Sequence, residues 1–316
     1  MAFASATHVG LNELKPEKVL LDEGRQRWWH GPIDLVIQAE GEAEVLQSAH
    51  ARAWAEFQSV LTTLVPELPV LRQAVQPGGP NPCDGAIARA MWQACEPLAG
   101  SEDDDFITPM AAVAGAVAQQ LLKHYDLPGV RRASINNGGD IALHLSAGQQ
   151  WRLGVVSDIR RAGAEECADG EALPDGWFTV QAADPTRGVA TSGWDGRSFS
   201  RGIADSVTVL ASTAAQADAA ATMIANRVNI DHPGIVRVPA CQERDEHDLG
   251  ARLVTRHVPI LDLGQIMTAL RSGLAYAQDL QRRGLIHAAL LVCQNQFVSC
   301  GHELCLQHDP IGVTSS

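Results

Sequence analysis

The sequence predicts an α+β protein in which strands and helices interleave without a regular βαβ repeat. Residues 27–41 alternate apolar and polar side chains, with Ile33, Leu35 and Ile37 on one face, as in a strand. Residues 41–65 instead follow helical spacing, because one apolar stripe recurs every three to four positions. Neither an internal repeat nor a G-x-G-x-x-G or P-loop motif is present. We therefore expect a layered fold with mixed sheets and packed helices.

The remaining elements follow the same two periods. Residues 76–85 hold three prolines and three glycines without a period, which indicates a loop. Helix 108–124 is predicted to be capped by Thr108 with Pro109 first in the helix, and helix 213–229 to be capped by Ser212 or Thr213. The other predicted helices are 86–95 and 264–283, and the other strands are 149–159, 176–184, 203–212, 253–260 and 287–295. Residues 187–202 are predicted to be a strand that leads into a polar, glycine-rich loop.

Bulk composition restricts the class of protein. The chain has 316 residues with 46% hydrophobic and 19% charged side chains, which suits one large globular domain. We expect that domain over 21–290, between an N-terminal extension (1–20) and a C-terminal tail (291–316). A net charge of -13 argues against nucleic acid and anionic membrane as partners, since both require a basic surface. A homo-oligomer is left open.

The sequence also indicates a compartment. No basic segment followed by an apolar run opens the chain, so we expect no signal peptide. No apolar run reaches the roughly 18 residues that a membrane span needs. Seven scattered cysteines fit reduced thiols better than a disulfide framework. The expected location is the cytoplasm.

Residues 131–145, RRASINNGGDIALHL, place two asparagines, two glycines and Asp140 between apolar runs. An Asn-Gly pair in this setting is the strongest short-range hairpin signal. Gly138 and Gly139 would also let another group approach the main chain closely. Both interpretations stand on this segment alone: a plain hairpin turn, or a loop that faces a ligand.

Asp218 and Thr222 lie four residues apart in the predicted helix 213–229, so their oxygens share one face. A carboxylate and a hydroxyl form a partial shell for Mg²⁺, which takes its remaining ligands from water and phosphate. The alternative is a solvated aspartate on an alanine-rich helix, and spacing alone favours that alternative.

The ordered segments NNGGDIAL, GVATSG and ADSVTVLASTAAQADAAAT resemble the ApbE-like superfamily, whose best-known members are FAD:protein FMN transferases. The resemblance is closer still to an uncharacterised cytoplasmic branch that shares HGPIDL, ITPMAAVAGAVA, GRSFS and GIADSVTVLA as they stand here. It covers about residues 20–290.

This resemblance implies a flavin-transferase type of fold that binds flavin, as FAD or FMN, and Mg²⁺ between two halves. The metal ligands would be Asp218, Thr222 and the carbonyl of Ala114. The Gly-Gly-Asp loop would lie beside the cofactor, so the ligand-facing interpretation becomes the favoured one. The implied cofactor-binding residues are Asn136, Asn137, Gly138, Gly139, Asp140, Thr191, Ser192 and Gly193.

The chain departs from the transferases at two motifs. The lysine of their Ala-Lys-Gly motif is Gly115 here. Their His-Ile-Ile-Asp-Pro-Arg-Thr-Gly loop is replaced by the shorter WDGRSFSRGIADS. The resemblance therefore implies the fold more strongly than it implies the transfer reaction.

The replacement loop supplies its own chemistry, because Asp195 and Arg201 enclose further hydroxyl and guanidinium groups. Arginine presents a planar fork suited to a carboxylate or phosphate, so we expect a pocket for a small anionic substrate. For this loop, the alternative is a solvated surface segment. For His30, which follows two tryptophans, the alternative to a catalytic role is a structural one. The candidate catalytic residues are His30, Asp140, Arg197, Ser198, Ser200 and Asp205.

The tail holds Cys293, Cys300, His302, Cys305 and His308, soft ligands of the kind that bind Zn²⁺, but at a spacing that matches no standard zinc finger.

For the whole chain three functions stay open. The first is a flavin-transferase-like enzyme, the second a hydrolase or lyase for a small, perhaps heterocyclic, metabolite without flavin, and the third a non-catalytic flavin carrier.

Overall fold

A computed structural model describes residues 15–155, 176–196, 198–243 and 248–301. Its centre is a nine-stranded antiparallel sheet whose strands are ordered along the sheet as they are along the chain. These strands are β1 (Glu17–Leu20), β2 (Gln26–His30), β3 (Ile33–Gly41), β4 (Val130–Asn137), β5 (Asp140–Leu145), β8 (Gly188–Ser192), β9 (Ser206–Ala211), β12 (Ala288–Cys293) and β13 (Gln296–Cys300). Two further pairs stand apart: β6 (Gln150–Val155) with β7 (Gly176–Gln181), and β10 (Val236–Pro239) with β11 (Leu253–His257).

Helices cover one face of the large sheet and bury the main hydrophobic core with it. Alanine-rich α5 (Val113–Leu122) and α6 (Ala214–Arg227) pack against each other and against β4, β5, β8 and β9, because small side chains allow close approach. The helices are α1 (Ala43–Phe57), α2 (Val60–Leu64), α3 (Leu68–Leu71), α4 (Ala86–Cys95), α5 (Val113–Leu122), α6 (Ala214–Arg227) and α7 (Leu263–Arg282).

The opposite face of the sheet is covered by the β6–β7 hairpin. Trp151, Leu153 and Phe178 from the hairpin are buried in a second apolar cluster with Leu210 and Leu290 of the sheet. All six residues of β9 and all six of β12 are therefore buried. This explains why their sequences are continuous apolar runs rather than alternating ones.

The α+β prediction is confirmed, and several boundaries differ from expectation. Residues 27–41 form two strands rather than one, because Gly31 turns the chain at φ +57. Helix 108–124 begins as a 3₁₀ turn over Pro109–Ala112. The hydroxyl of Thr108 donates to Asp248 Oδ2 at 2.5 Å instead of capping that helix. Thr213 caps α6, accepting from the amide of Gln216 at 3.3 Å.

The sheet extends beyond the predicted domain of 21–290 at both ends. β1 pairs with β2, and β13 pairs with β12. Both strands lie at or near the sheet edge and are short, so their alternation gave too weak a signal to detect. None of the helices in the described parts of the chain combines the length and apolar character needed to cross a bilayer.

Candidate functional site

A cavity of about 840 Å³ opens between the ends of β3, β4, β5 and β8 and the helices α2 to α6. This volume lies within the range of roughly 300–1,000 Å³ that small-molecule sites occupy. The cavity brings together twelve of the residues singled out from the sequence: Ala114, Asn136, Asn137, Gly138, Gly139, Asp140, Thr191, Ser192, Gly193, Ser198, Asp218 and Thr222.

The Gly138-Gly139 pair is both a hairpin turn and part of the cavity wall. Asn137 and Asp140 face each other across the ladder, so the two glycines form the whole turn, with φ of +66 and +112. Asn136 Oδ1 accepts from the amide of Gly139 at 2.8 Å and fixes the turn. A side chain at Gly139 would meet no atom within 4 Å, so backbone conformation, not crowding within the chain, requires glycine there.

Asn137 ties this turn to the start of α5. Its side-chain amide donates to the carbonyl oxygen of Ala114 at 3.1 Å. Ala114 itself also lines the cavity. The link also holds that oxygen on the cavity side, because Asn137 is itself buried and lines the cavity.

Asp218 is the most perturbed acid of the site. Burial raises the pKa of its carboxyl group to about 7, although the amides of Gly115 and Ala114 favour the ionised form. The amide of Gly115 donates to Asp218 Oδ2 at 3.0 Å. Two backbone donors thus fail to offset the loss of water, and a bound cation would supply the missing compensation.

The site depends on an unusually short distance between α5 and α6. A Cβ atom built on Gly115 would lie 2.3 Å from the carbonyl oxygen of Ala214, which is backbone and cannot swing away. This contact explains in physical terms why the chain has glycine at the position of the transferase lysine. Thr222 follows Asp218 by one turn of α6 and lines the same cavity.

The loop after β8 divides its residues between the cavity and the protein interior. Asp195 and Ser198 line the cavity, whereas Arg197 lies outside the described residues. Asp205 does not line it: its carboxylate accepts from Trp194 Nε1 at 3.2 Å and from the amide of Gln294. Ser200 is likewise a structural residue, because its side chain is buried and only 2% exposed. Neither Asp205 nor Ser200 is positioned by the structure as a catalytic group.

Ser200 and Ser198 give a paired test of this division. Ser200 Oγ donates to Asn226 Oδ1 at 3.3 Å and accepts from the amide of Gly202 at 3.2 Å. We expect Ser200→Ala to lower the free energy of unfolding by about 1–3 kcal/mol, because a buried acceptor and donor lose their partner. Ser198→Ala, at an exposed position, should stay within about 0.5 kcal/mol. Urea unfolding of both variants measures this difference, and equal losses of stability would contradict the assignment of Ser200 to the protein interior and Ser198 to the cavity.

His30 also lies away from the cavity. It ends β2, is 4% exposed, and its ring packs at 6.2 Å from that of Phe57 inside the helical core. The predicted catalytic role for His30 therefore does not fit its position, and the structural alternative does. The two tryptophans before His30 did not separate a catalytic from a structural role for this histidine. Strand alternation places His30 and Trp28 on the same face of β2.

Sequence reasoning missed the apolar half of the cavity. The segment from α2 to α3 contributes a row of leucines there, while Leu153 and Phe178 reach in from the β6–β7 hairpin. Leu61 and Leu64 belong to the apolar stripe predicted over residues 41–65, and spacing cannot tell a core wall from a cavity wall. These apolar residues are Leu61, Leu64, Leu68, Leu71, Met91 and Met110.

The charges that line the cavity are mainly negative. Asp34, Asp140, Asp195 and Asp218 face a single described cation, Arg72. Asp34 is held in a bidentate pair with Arg27, at 2.9 and 2.6 Å. An anionic ligand would therefore need a cation to accompany it into this part of the cavity.

The predicted soft-metal cluster of the tail finds no support in the described residues. Burial raises the pKa of the Cys293 thiol to about 12 and also raises that of Cys300, so neither environment favours the thiolate that metal ligation requires. No grouping of three or more acidic, histidine or cysteine ligands occurs among residues 15–301 as far as they are described. His302, Cys305 and His308 lie outside the described residues.

Fold and cavity together define an α+β protein with an oxygen-rich, acidic cavity. A sequence model of the family described as AbpE bacteria matches residues 17–300. The chain therefore belongs to this family, and the resemblance drawn from its motifs is confirmed.

Individual relatives agree with this family. A UPF0280 protein of Methanothermobacter thermautotrophicus is 40% identical over 132 residues, which is 39% of this chain and 43% of that protein. A UPF0280 protein of Methanopyrus kandleri is 33% identical over 206 residues, covering 63% and 72%. For the first of these and for a relative from Methanococcoides burtonii, the match spans about half of the relative's length. The apo crystal structure of Pseudomonas stutzeri flavinyl transferase ApbE is a distant neighbour, with a TM-score of 0.43 and 13% identity over 91% of this chain and 94% of that one.

Proposed function

We propose that the protein binds a flavin nucleotide together with Mg²⁺ in this cavity and acts as a flavin-transferase-type enzyme. The observation that supports the proposal is the convergence of Asp218, Thr222 and the Ala114 carbonyl on one cavity beside the Gly138-Gly139 turn. Membership of the AbpE bacteria family supports the same class.

The donor set fits Mg²⁺. All three groups are hard oxygen donors, and one carboxylate with few protein ligands is typical of sites where Mg²⁺ keeps water and phosphate oxygens. The buried carboxylate of Asp218 also lacks full compensation, as its raised pKa shows. When bound, Mg²⁺ would neutralise phosphate charge and polarise a phosphoryl oxygen.

The two halves of the cavity suit the two halves of a flavin nucleotide. The leucines of α2 and α3 offer an apolar surface for the ring system. Thr191, Ser192 and Ser198 offer hydroxyl groups to the polar part of the ligand. Asp140 accepts from the amide of Thr191 at 3.3 Å, so this carboxylate holds β5 and β8 together next to the turn.

A transfer step requires a group that takes a proton from the acceptor hydroxyl. The described lining of the cavity contains no histidine, so aspartates are the candidates. Asp140 and Asp195 remain for this role once Asp218 is assigned to the metal. The non-catalytic carrier differs from the transferase at this step, whereas the hydrolase or lyase would hold a small metabolite in the same cavity in place of flavin.

The proposal predicts a ligand-dependent gain in stability. FAD with Mg²⁺ should raise the free energy of unfolding by about 2.7 kcal/mol at a hundredfold excess over its Kd, since a ligand bound only by the folded state stabilises it. Thermal unfolding with FAD, with and without EDTA, measures this, and the complex should show flavin absorbance after gel filtration.

A matched pair of variants locates the effect. Asp218→Asn should remove the Mg²⁺-dependent gain, whereas Asp279→Asn on the exposed face of α7 should keep it. A protein that stays colourless and shows no shift with FAD and Mg²⁺ would contradict the flavin assignment and favour the hydrolase or lyase without flavin.

A further inference from the structure

A second, smaller cavity of about 250 Å³ lies at the C-terminal end of α6, where the loop before β9 meets β10. It shares no lining residue with the large cavity. Its wall is built from three arginines, two asparagines, one acid and one leucine: Arg201, Arg227, Arg237, Asn226, Asn229, Asp104 and Leu253.

The two asparagines present hydrogen-bond donors to this cavity. Asn226 Oδ1 accepts from the amide of Arg201 at 2.8 Å and from Ser200 Oγ at 3.3 Å. Asn229 Oδ1 accepts from the amide of Ile230 at 2.9 Å and from Arg237 Nη2. Because backbone N–H groups can only donate, these contacts fix the orientation of both side chains. Both side-chain oxygens therefore already accept hydrogen bonds, and each asparagine has its NH₂ group available as a donor.

Of the three arginines, Arg237 is the one whose charge no described carboxylate pairs with directly. Arg201 forms ion pairs with Asp103 at 2.5 Å and Asp104 at 3.7 Å, and Arg227 pairs with Asp105. Arg237 contacts neutral acceptors instead, Asn229 Oδ1 and the carbonyl of Arg201, and no carboxylate within 4 Å among the described residues.

Two further observations show that this charge is incompletely compensated. Burial lowers the pKa of Arg237, opposed only by Asp231, so the ionised form lacks solvation. The Nε atom of Arg227 is buried and has no hydrogen-bond partner in the described residues. Buried donors without a partner cost free energy, and an anion in the cavity would satisfy them. In a chain of net charge -13, such a grouping is not a by-product of a basic surface.

We infer that this arginine cavity is a binding site for a compact tetrahedral oxyanion of the phosphate type. Guanidinium forks and amide NH₂ groups match the acceptor oxygens of phosphate, and Arg237 is the residue whose charge the anion balances. Arg201, expected from the sequence to bind an anion, does so in this inference at a different cavity from Ser198. The site is independent of the flavin proposal, since neither Asp218 nor Mg²⁺ contributes to it.

The test is titration of the full chain with inorganic phosphate in the presence of EDTA, followed by isothermal calorimetry and thermal unfolding. Sodium chloride at equal ionic strength is the reference. We expect one phosphate to bind, and Arg237→Gln to weaken its binding at least about tenfold, because a buried guanidinium–anion contact is lost. Arg237→Lys should recover part of the affinity, since lysine keeps the charge but not the fork.

Controls separate this site from other sources of binding. Arg282→Gln, an exposed arginine of α7 paired with Asp279, and Asp218→Asn should both leave phosphate affinity unchanged. Circular dichroism checks each fold; if Arg237→Gln does not fold, Arg237→Lys and Arg227→Lys decide, with a loss of affinity in either supporting the site. Any of four results would overturn the inference. Phosphate could bind no more strongly than chloride, or malonate could bind more tightly than phosphate. Phosphate affinity could also fall equally in Arg282→Gln, or fall only in Asp218→Asn.

Discussion

Asp218→Asn is expected to stabilise the metal-free protein at pH 8 while destroying its response to Mg²⁺. The carboxyl group has a pKa of about 7 in the folded state and an ordinary value of 3.8 when exposed. The folded state therefore binds the proton more tightly than the unfolded state does. The stability associated with this proton is fully present below pH 3.8 and is lost as the pH rises through 7.

The size of the effect follows from that shift. At about 1.4 kcal/mol per pH unit, the advantage of Asp218→Asn over the native residue should grow by about 2–3 kcal/mol between pH 5 and pH 8. Asparagine can still accept from the amide of Gly115, so the change leaves that contact in place. Urea unfolding in EDTA at both pH values measures the gain, with Asp279→Asn as the control. A pH-independent difference would show that Asp218 is not the buried acid described here.

Gly115→Ala should be among the most damaging single-methyl changes in the chain. Its Cβ would lie 2.3 Å from the carbonyl oxygen of Ala214 and 2.9 Å from the amide nitrogen of Ala215. Both are backbone atoms, so α5 and α6 would have to separate. Overpacking typically costs about 1–3 kcal/mol, and we expect about 3 kcal/mol or more because no side chain can yield.

The same change should weaken Mg²⁺ binding, since the Ala114 carbonyl is on α5 and Asp218 is on α6. Gly264→Ala is the matched control: its Cβ meets only a carboxylate oxygen of Asp262 at 3.2 Å in the first turn of α7. That variant should be neutral or slightly stabilising, because alanine favours helix. Thermal unfolding of both proteins with and without Mg²⁺ compares them, and similar melting temperatures would refute the close-contact argument.

Sequence reasoning identified those parts of the site that are encoded by local spacing. The Gly138-Gly139 turn and the Asp218–Thr222 pair follow from the geometry of one hairpin and one helix. Their convergence could not be predicted in this way, because Asp218 contacts the amide of Gly115, 103 residues earlier. The motif resemblance supplied that link, and spacing alone had favoured a solvated Asp218.

The predictions that do not fit the structure concern residues whose environment is set by distant parts of the chain. Ser200 and Ser198 are two positions apart and chemically identical, yet Ser200 is held by Asn226 of α6 and Ser198 lines the cavity. His30 is enclosed by Phe57 from α1. Strand β10 of the β10–β11 pair was not predicted, because the alternation over Val236–Pro239 is too short to identify.

The order of strands in the large sheet bears on how the protein folds. Successive strands of the sheet are neighbours, but only some of these pairs are local in sequence: β2 and β3 form a hairpin, whereas β3 pairs with β4 across about a hundred residues. The packing of α5 on α6 likewise closes a loop of about a hundred residues, so both contacts carry the corresponding cost in chain entropy. We expect hydrogen-exchange protection in α5 to develop after that of β2 and β3 during refolding. A chain whose β2–β3 hairpin has formed would then still lack its ligand site, and binding competence would report a late step of folding rather than the first.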